Sequence, residues 1–533
     1  MNVVPLFTSA FYKRNFILDT PDISNTNIVY RGILETKKYG NIDIDFLFDD
    51  DFFINFPHAL IGINSQNKFK PYHFPHLDDT YCLCYHDGSY VFNRYDSEAM
   101  VSFCIENVIK IINETIEDDM NEILKEFPSY WRSTCINFYS YLAPIDNIAY
   151  IKENKIVSPS NLSLINNEKL DETPIFKLHN TPSIANIEWP LENYASFKEW
   201  ISKTAPETEH EIQKHINYMI SIKFFKIMII LFLEDLDTYI GFTIEFKNAS
   251  YNLKIKKKFH PEIVKIIFNG NHILHRFNIT NYNAKKIINS NISIDFFTFV
   301  NMKILLIGAG TIGSNLSNIL VKNGTSIGED AKFSIVDNDK YEPYNYSRHY
   351  LGINYAGFNK ANALKFDLEY AFPFAKINAI DDKIQNIDIG NYDIIIDTTG
   401  EEALTLWLSE KVHISNPNFV FISTWINGNG SSAECLIIPN NHNACHECFR
   451  HSKYYSSKNI TELNLRDSCN SVFVPFPISA SMYTALLVIN VLNKWFSGKI
   501  TETTFFKQNL SPISEVSEKI ILKNKECPLC GIN

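Results

Sequence analysis

The run Lys303-Ile304-Leu305-Leu306-Ile307, followed at once by Gly308-Ala309-Gly310-Thr311-Ile312-Gly313, restricts the fold more than any other part of this chain. A short apolar run of this kind reads as a buried strand, and the pattern after it predicts a helix from about residue 312 to 323. Three glycines between strand and helix let the backbone approach a phosphate, while the helix N-terminus offers unpaired N–H groups and positive dipole. Further apolar runs, KFSIVD and YDIIID, alternate with helical stretches, so the expectation is a parallel sheet with crossover helices. Asp337, ending the second strand, stands where a ribose hydroxyl is held in such folds. The fingerprint alone also suits many dehydrogenases.

The text that follows separates the readings. After Val336 come DNDKYEPYNYSRHYLG and GFNKANA, giving Asp337, Asp339, Asn345, Arg348, His349, Gly357 and Lys360. This order resembles the ThiF, molybdopterin-synthase adenylyltransferase and ubiquitin-activating family, with His349 where the family has Gln. The resemblance implies ATP as cofactor, with Asp337 on the ribose and Asn345, Arg348 and Lys360 at the phosphates. Cations there suit the chemistry, because carboxylate attack on the α-phosphate builds charge on phosphate oxygens and departing pyrophosphate. The family pattern for Mg2+ is Asp-x-x-Asp; this chain has Asp397-Thr398-Thr399-Gly400. Either Asp397 serves, or Glu401 or Glu402 reaches the ion.

Ten cysteines in a chain with no visible secretory leader are expected to be ligands, nucleophiles or packing residues in a cytoplasmic protein, not a disulfide framework. Cys445-x-x-Cys448 and Cys527-x-x-Cys530 have the spacing of a closed, tetrahedral structural Zn2+ site, with redox chemistry as the runner-up. Cys469 lies between the pairs, with Pro477 shortly after it. In ThiF-like enzymes a cysteine in this place attacks the acyl-adenylate and leaves a thioester. The alternative is a small buried thiol.

At the other end, short runs from residue 28 to 92 (IDIDFLF, ALIGI) alternate with turn residues and predict an antiparallel meander. A helical stretch over 98–127 follows, giving an α+β domain. Within it, PYHFPHLDDTYCLCYHDGSY resembles the active-site strip of ubiquitin-conjugating enzymes, with Pro75 in place, His76 at the Asn position and Cys84 at the nucleophile. The resemblance implies that His76 stabilises the thioester oxyanion as lysine attacks. Residues 151–297 carry no chemical motif and read as a connecting domain; the apolar run 218–233, interrupted by Lys223 and Lys226, is a core element and not a membrane span.

Together these give a multi-domain α+β and α/β protein: a ubiquitin-conjugating-like domain at 1–150, a connecting domain at 151–297, and a Rossmann-like ThiF adenylating domain with structural zinc at 298–533. The order resembles the CD-NTase-associated protein 2 family of CBASS anti-phage systems. That resemblance implies adenylation of the C-terminal glycine of a CD-NTase, transfer from Cys469 to Cys84, and conjugation to lysine-bearing targets. It also implies a homodimer and a separate deconjugating peptidase, since no JAMM-type ligand pattern occurs here. A net charge of −11 argues against nucleic-acid binding as the main business. Activation of a sulfur carrier protein is the alternative enzyme reading, and a nucleotide-binding module without catalysis is the non-enzymatic one.

Overall fold

The computed structural model describes residues 3–19, 27–69, 74–78, 80–116, 119–131, 137–142, 146–158, 171–183, 191–222, 224, 226–245, 272–293, 296–415, 419–456, 460, 464–465, 472–510, 516–525 and 527. Two compact units emerge, Met1–Tyr282 and Asn283–Asn533.

The first unit opens with helix α1 (Val4–Tyr12), started by Pro5, whose missing N–H costs nothing in a first turn. Five strands, β1 (Ile17–Asp19), β2 (Ile28–Thr36), β3 (Gly40–Phe48), β4 (His58–Ile61) and β5 (Cys82–Leu83), pair antiparallel in chain order, as the meander reading predicts. IDIDFLF explains β3: Ile42, Ile44, Phe46 and Phe48 are buried while Asp43 and Asp45 alternate outward. The expected single helix over 98–127 is instead two. Helix α2 (Ser97–Glu114) is capped by the Asp96 side chain and stops where Thr115 turns extended; α3 (Met120–Trp131) starts after Asp119, whose carbonyl accepts from Ile123.

Seven strands then close a barrel: β6 (Asn137–Tyr141), β7 (Ile148–Lys152), β8 (Lys155–Val157), β9 (Asp171–Leu178), β10 (Lys226–Leu233), β11 (Thr238–Glu245) and β12 (Leu274–Asn281), in the order β10-β11-β12-β6-β8-β7-β9. The apolar run 218–233 is divided between the end of a helix and β10. Alternation along β10 feeds two cores. Ile230 and Phe232 join a cluster drawn from the strands, with Phe138, Ile156 and Phe277. Ile229, Leu231 and Leu233 join a second cluster with α4 (Tyr194–Ser202), α5 (Pro206–Ser221) and α3, through Ile123, Phe127 and Trp131. The i, i+4, i+8 spacing places those three α3 residues on one face.

The second unit holds an eight-stranded sheet whose strands lie in the order Ile377–Ile380, Lys332–Val336, Lys303–Ile307, Ile394–Asp397, Val420–Asn427, Ser432–Ile438, Thr504–Asn509 and Ser517–Ile520. Its parallel part comprises β13 (Lys303–Ile307), β14 (Lys332–Val336), β15 (Ile377–Ile380), β16 (Ile394–Asp397) and β17 (Val420–Asn427). The run from β17 into β18 (Ser432–Ile438) is a hairpin through Gly428 and Gly430, both at positive φ. Beyond it the sheet is antiparallel, which the strand-helix alternation at the start of the domain does not foretell. A two-stranded ribbon, β19 (Asn464–Leu465) with β20 (Val472–Phe473), precedes the helix Ile478–Phe496 and the last strands, β21 (Thr504–Asn509) and β22 (Ser517–Ile520). The chain runs from β13 outward to β15, then returns to the other side of β13 as β16. This reversal leaves a crevice at the carboxyl ends, where Ile307 is level with Val336 and Asp397. Among the described residues no helix is long and apolar enough to cross a membrane.

Candidate active sites

A cavity of about 830 Å3, of nucleotide size, opens at that crevice. The Gly-rich turn forms its floor, and two glycines there are geometric necessities. Gly308 has φ +90°, and a Cβ on Gly313 would stand 1.9 Å from the Gly308 carbonyl oxygen. Gly310 caps the helix Thr311–Lys322 without a side chain, leaving that N-terminus for an anion.

Gly308, Gly310, Asp337, Asp339 and Lys360 line the cavity. Asp337 holds the turn: its Oδ2 accepts from the Ala309 N–H at 2.7 Å and its Oδ1 from the Asp339 N–H at 2.8 Å. Burial raises its pKa above the ordinary carboxylate value, against the opposing pull of these bonds and of Lys360. Lys360 Nζ pairs with Asp339 Oδ2 at 3.0 Å, and the preceding Asn359 caps the helix Lys360–Ala371 while donating to the Asp337 carbonyl.

Gly313, Asn345, Arg348 and Asp397 stand behind the lining. Asn345 closes a capping box with Glu342. The Arg348 guanidinium lies 4.2 Å over the Phe476 ring and donates to the Val474 carbonyl; both those residues face the cavity. Asp397 is fully buried. Its Oδ1 accepts from the Thr399 N–H and hydroxyl, its Oδ2 from the Thr405 hydroxyl at 2.6 Å, and burial raises its pKa. Asp397 is buried and does not line the cavity, so it does not reach an ion held there. On the cavity wall the carboxylates are Asp337, Asp339, Asp382 and Glu401, the last next to Gly400. Glu402 bonds instead to Arg450 and Tyr455.

Two residues of this site carry no signal in the motif. His349, read from sequence only as a substitution for Gln, is buried; its Nε2 donates to the Ala309 carbonyl at 2.7 Å and its Nδ1 accepts from the Leu351 N–H at 3.1 Å. Burial pushes its pKa down to about 4, so it stays neutral and ties the Gly-rich turn to the Arg348 loop. Glu434, inside AECLII, is a buried carboxylate accepting from Trp425 Nε1, Asn427, Ser432 and Lys507. It thereby fixes Trp425, a cavity wall residue.

Cys445, Cys448 and Cys527 are buried, with sulfur atoms 3.9 and 3.5 Å apart for the first pair and for Cys445–Cys527. Tetrahedral thiolates at ~2.3 Å from zinc stand about 3.8 Å apart, so the three fit such an ion. Cys530 lies outside the described residues, as does Cys469; the latter falls between β19 and β20.

In the first unit, Cys84 follows β5 and opens on a cavity of about 840 Å3 that His76, Cys82, His58 and Glu126 also line. The Cys84 N–H donates to the His76 carbonyl at 2.7 Å. Glu126, from α3, grips His76 twice: Oε2 accepts its backbone N–H at 2.9 Å and Oε1 stands 2.6 Å from Nδ1. The contact with Glu126 raises the His76 pKa. The Cys84 thiol is pushed up as well, first by burial and then by the Glu126 charge. Cys82 is pushed up further, to about 11. Nothing in the sequence of the helical stretch over 98–127 singles out Glu126.

Comparison with known proteins agrees with both halves. The model of the ThiF family matches residues 297–529, and that of the Prokaryotic E2 family B matches residues 15–139. Proteins named ATP-dependent ubiquitin transferase-like protein Cap2 match nearly end to end. The one from Pseudomonas aeruginosa (strain BWHPSA011 / Pa011) is 26% identical over 90% of each chain. That from Vibrio cholerae serotype O1 (strain ATCC 39315 / El Tor Inaba N16961) is 23% identical over 86% of this chain and 87% of its own, and that from Escherichia coli (strain TW11681) 22% over 93% of each. Fold and sites define an enzyme in which an ATP-binding adenylating fold and an E2-type thiol domain occur in one polypeptide. Over nearly its whole length the chain is similar to the ATP-dependent ubiquitin transferase-like proteins named Cap2.

Proposed function

We propose that this enzyme adenylates the C-terminal glycine of a protein, by resemblance a CD-NTase, and joins it to target lysines through two thioesters, priming CBASS defence. Adenylation belongs to residues 298–533, conjugation to 1–150, and 151–297 connect them. ATP binds at the Gly308–Gly313 turn with Asp337 on the ribose and Lys360 at the phosphates. Its Mg2+ meets Glu401 or Asp339, not Asp397, which is buried behind the cavity wall. The substrate carboxylate attacks the α-phosphorus and pyrophosphate leaves. The Cys469 thiolate then attacks the acyl carbon and AMP leaves; Cys84 takes the acyl group by exchange; a lysine amine takes it from Cys84 and frees the thiol. Cys445, Cys448, Cys527 and Cys530 hold a structural Zn2+ that braces the end of the chain. Exposed Ile478, Met482 and Leu486, spaced i, i+4, i+8 on the helix Ile478–Phe496, support a homodimer formed through the adenylating unit. Removal of the modifier falls to a separate peptidase.

The observation that carries this reading is the pairing, in one chain, of a nucleotide-sized cavity over a Gly-rich turn with an accessible thiol beside a clamped histidine. ATP–pyrophosphate exchange stimulated by a CD-NTase C-terminal peptide, together with loss of high-mass conjugates in cells carrying Cys84→Ser, is the expected result. Conjugates at wild-type level in that variant overturn it.

A further inference from the structure

The Glu126–His76 contact is more than a surface ion pair. One carboxylate accepts both from the backbone N–H and from the ring of the same residue. His76 is held at φ +68°, a left-handed conformation that a residue with a Cβ adopts at a cost of about 1 kcal/mol or more. Its carbonyl in turn receives the N–H of Cys84. Backbone and ring of His76 are therefore locked between α3 and the thiol.

The lock also selects a tautomer. An ionised carboxylate can only accept, so Nδ1 carries the hydrogen and Nε2 of the neutral ring keeps its lone pair. Among the described residues Nε2 has no hydrogen-bond partner, and the side chain is 28% exposed on the wall of the cavity that holds Cys84. In the neutral ring this arrangement leaves a base at Nε2, whereas the imidazolium that the raised pKa favours as the pH falls carries a proton there.

We propose that His76 takes the proton from the acceptor amine as it attacks the acyl group on Cys84, and that Glu126 is the positioning residue that fixes the imidazole for this task. The inference rests on the reading that Cys84 carries the acyl group. The step balances within the site. The amine nitrogen bonds to the carbonyl carbon, its proton passes to Nε2, the C–S bond breaks, and the imidazolium returns the proton to the departing sulfur, giving amide and free thiol. Near pH 7 a lysine amine is almost wholly protonated; the fraction that has released that proton to solvent attacks, and its strongly basic nitrogen holds the next proton until a base takes it. The thiol's raised pKa makes its thiolate a poor leaving group, which a returned proton corrects. The acids facing His76 are Glu122 and Glu126, both from α3.

The test loads the full chain without ATP. Exchange with N-acetylglycine thiophenyl ester places an acyl group on Cys84, located by peptide mapping, and discharge is followed by intact mass with lysine or with hydroxylamine, which is already neutral at pH 7. His76→Gln and Glu126→Gln should each slow discharge to lysine at pH 7 by about 100-fold. Discharge to hydroxylamine should stay within about threefold of wild type. The lysine deficit should shrink as pH rises toward 10, and Glu126→Asp should recover part of the rate. Equal slowing with both nucleophiles, the result of an oxyanion or purely structural role, overturns the proposal, as does an unchanged lysine rate in both variants. Chemical loading keeps this outcome independent of the relay, which Cys84→Ser tests in cells.

Discussion

Replacing His349 by glutamine isolates the proton chemistry of the Gly-rich turn. Glutamine presents the same pattern as the neutral imidazole, an N–H toward the Ala309 carbonyl and an oxygen toward the Leu351 N–H, yet it cannot titrate. In the native chain His349 has a pKa of about 4 against 6.5 for an exposed histidine. The unfolded state therefore takes up a proton first as the pH falls. Stability is complete above about pH 6.5, declines through the interval down to about pH 4, and is flat below it. Between pH 7 and pH 5 the wild type should lose about 1.8 kcal/mol more than His349→Gln, roughly a 20-fold change in opening equilibrium. His446, also pushed down to about 4 by burial, is present in both proteins and cancels. Amide hydrogen exchange of peptides covering β13 reads the opening locally, so the other unit does not interfere. Identical pH dependence in the two proteins would refute the argument, because it would mean that burial does not hold His349 neutral.

Two further outcomes follow from the same unit. Gly313→Ala places a methyl group against the Gly308 carbonyl, which is backbone and cannot rotate aside, so ATP affinity by calorimetry should fall at least about tenfold, with a stability loss of ~1–3 kcal/mol; unchanged affinity would show that the turn moves freely. Purified protein should carry one zinc per chain by elemental analysis, and Cys448→Ser should lose most of it and lower the melting temperature; a metal-free wild type at full stability would rule the site out.

What the residues revealed in advance was local chemistry. The turn 308–313 is legible because glycines, strand and helix are adjacent in sequence, and the Cys-x-x-Cys pair at 445 and 448 is legible for the same reason. Glu126 was not, because 50 positions separate it from His76 and a helical pattern gives no hint of which side-chain tip meets a distant turn. His349 looked like a departure from a motif and is a buried brace. Asp397 sits at the strand end that a metal ligand would occupy, but it is buried behind the cavity wall against Thr399 and Thr405, a fact set by side-chain direction and invisible to spacing. The hairpin into β18 turns through Gly428 and Gly430, and the strand-helix alternation before it carries no sign that the sheet continues antiparallel.

Helix α3 has two allegiances. Its charged side grips His76, while Ile123, Phe127 and Trp131 are buried among residues of the barrel and its helices, such as Phe242 of β11 and Trp200 of α4, with Trp131 Nε1 donating to the Gly241 carbonyl. The barrel is thus a wall against which the thiol site is braced. Excising the first 150 residues as a minimal catalyst would strip α3 of its apolar bed and loosen the very histidine that the excised piece was meant to display. For the same reason recombination between relatives should exchange this unit whole: a crossover placed between the meander and the barrel would pair a clamp with the wrong bed, and inheritance of one without the other would be selected against.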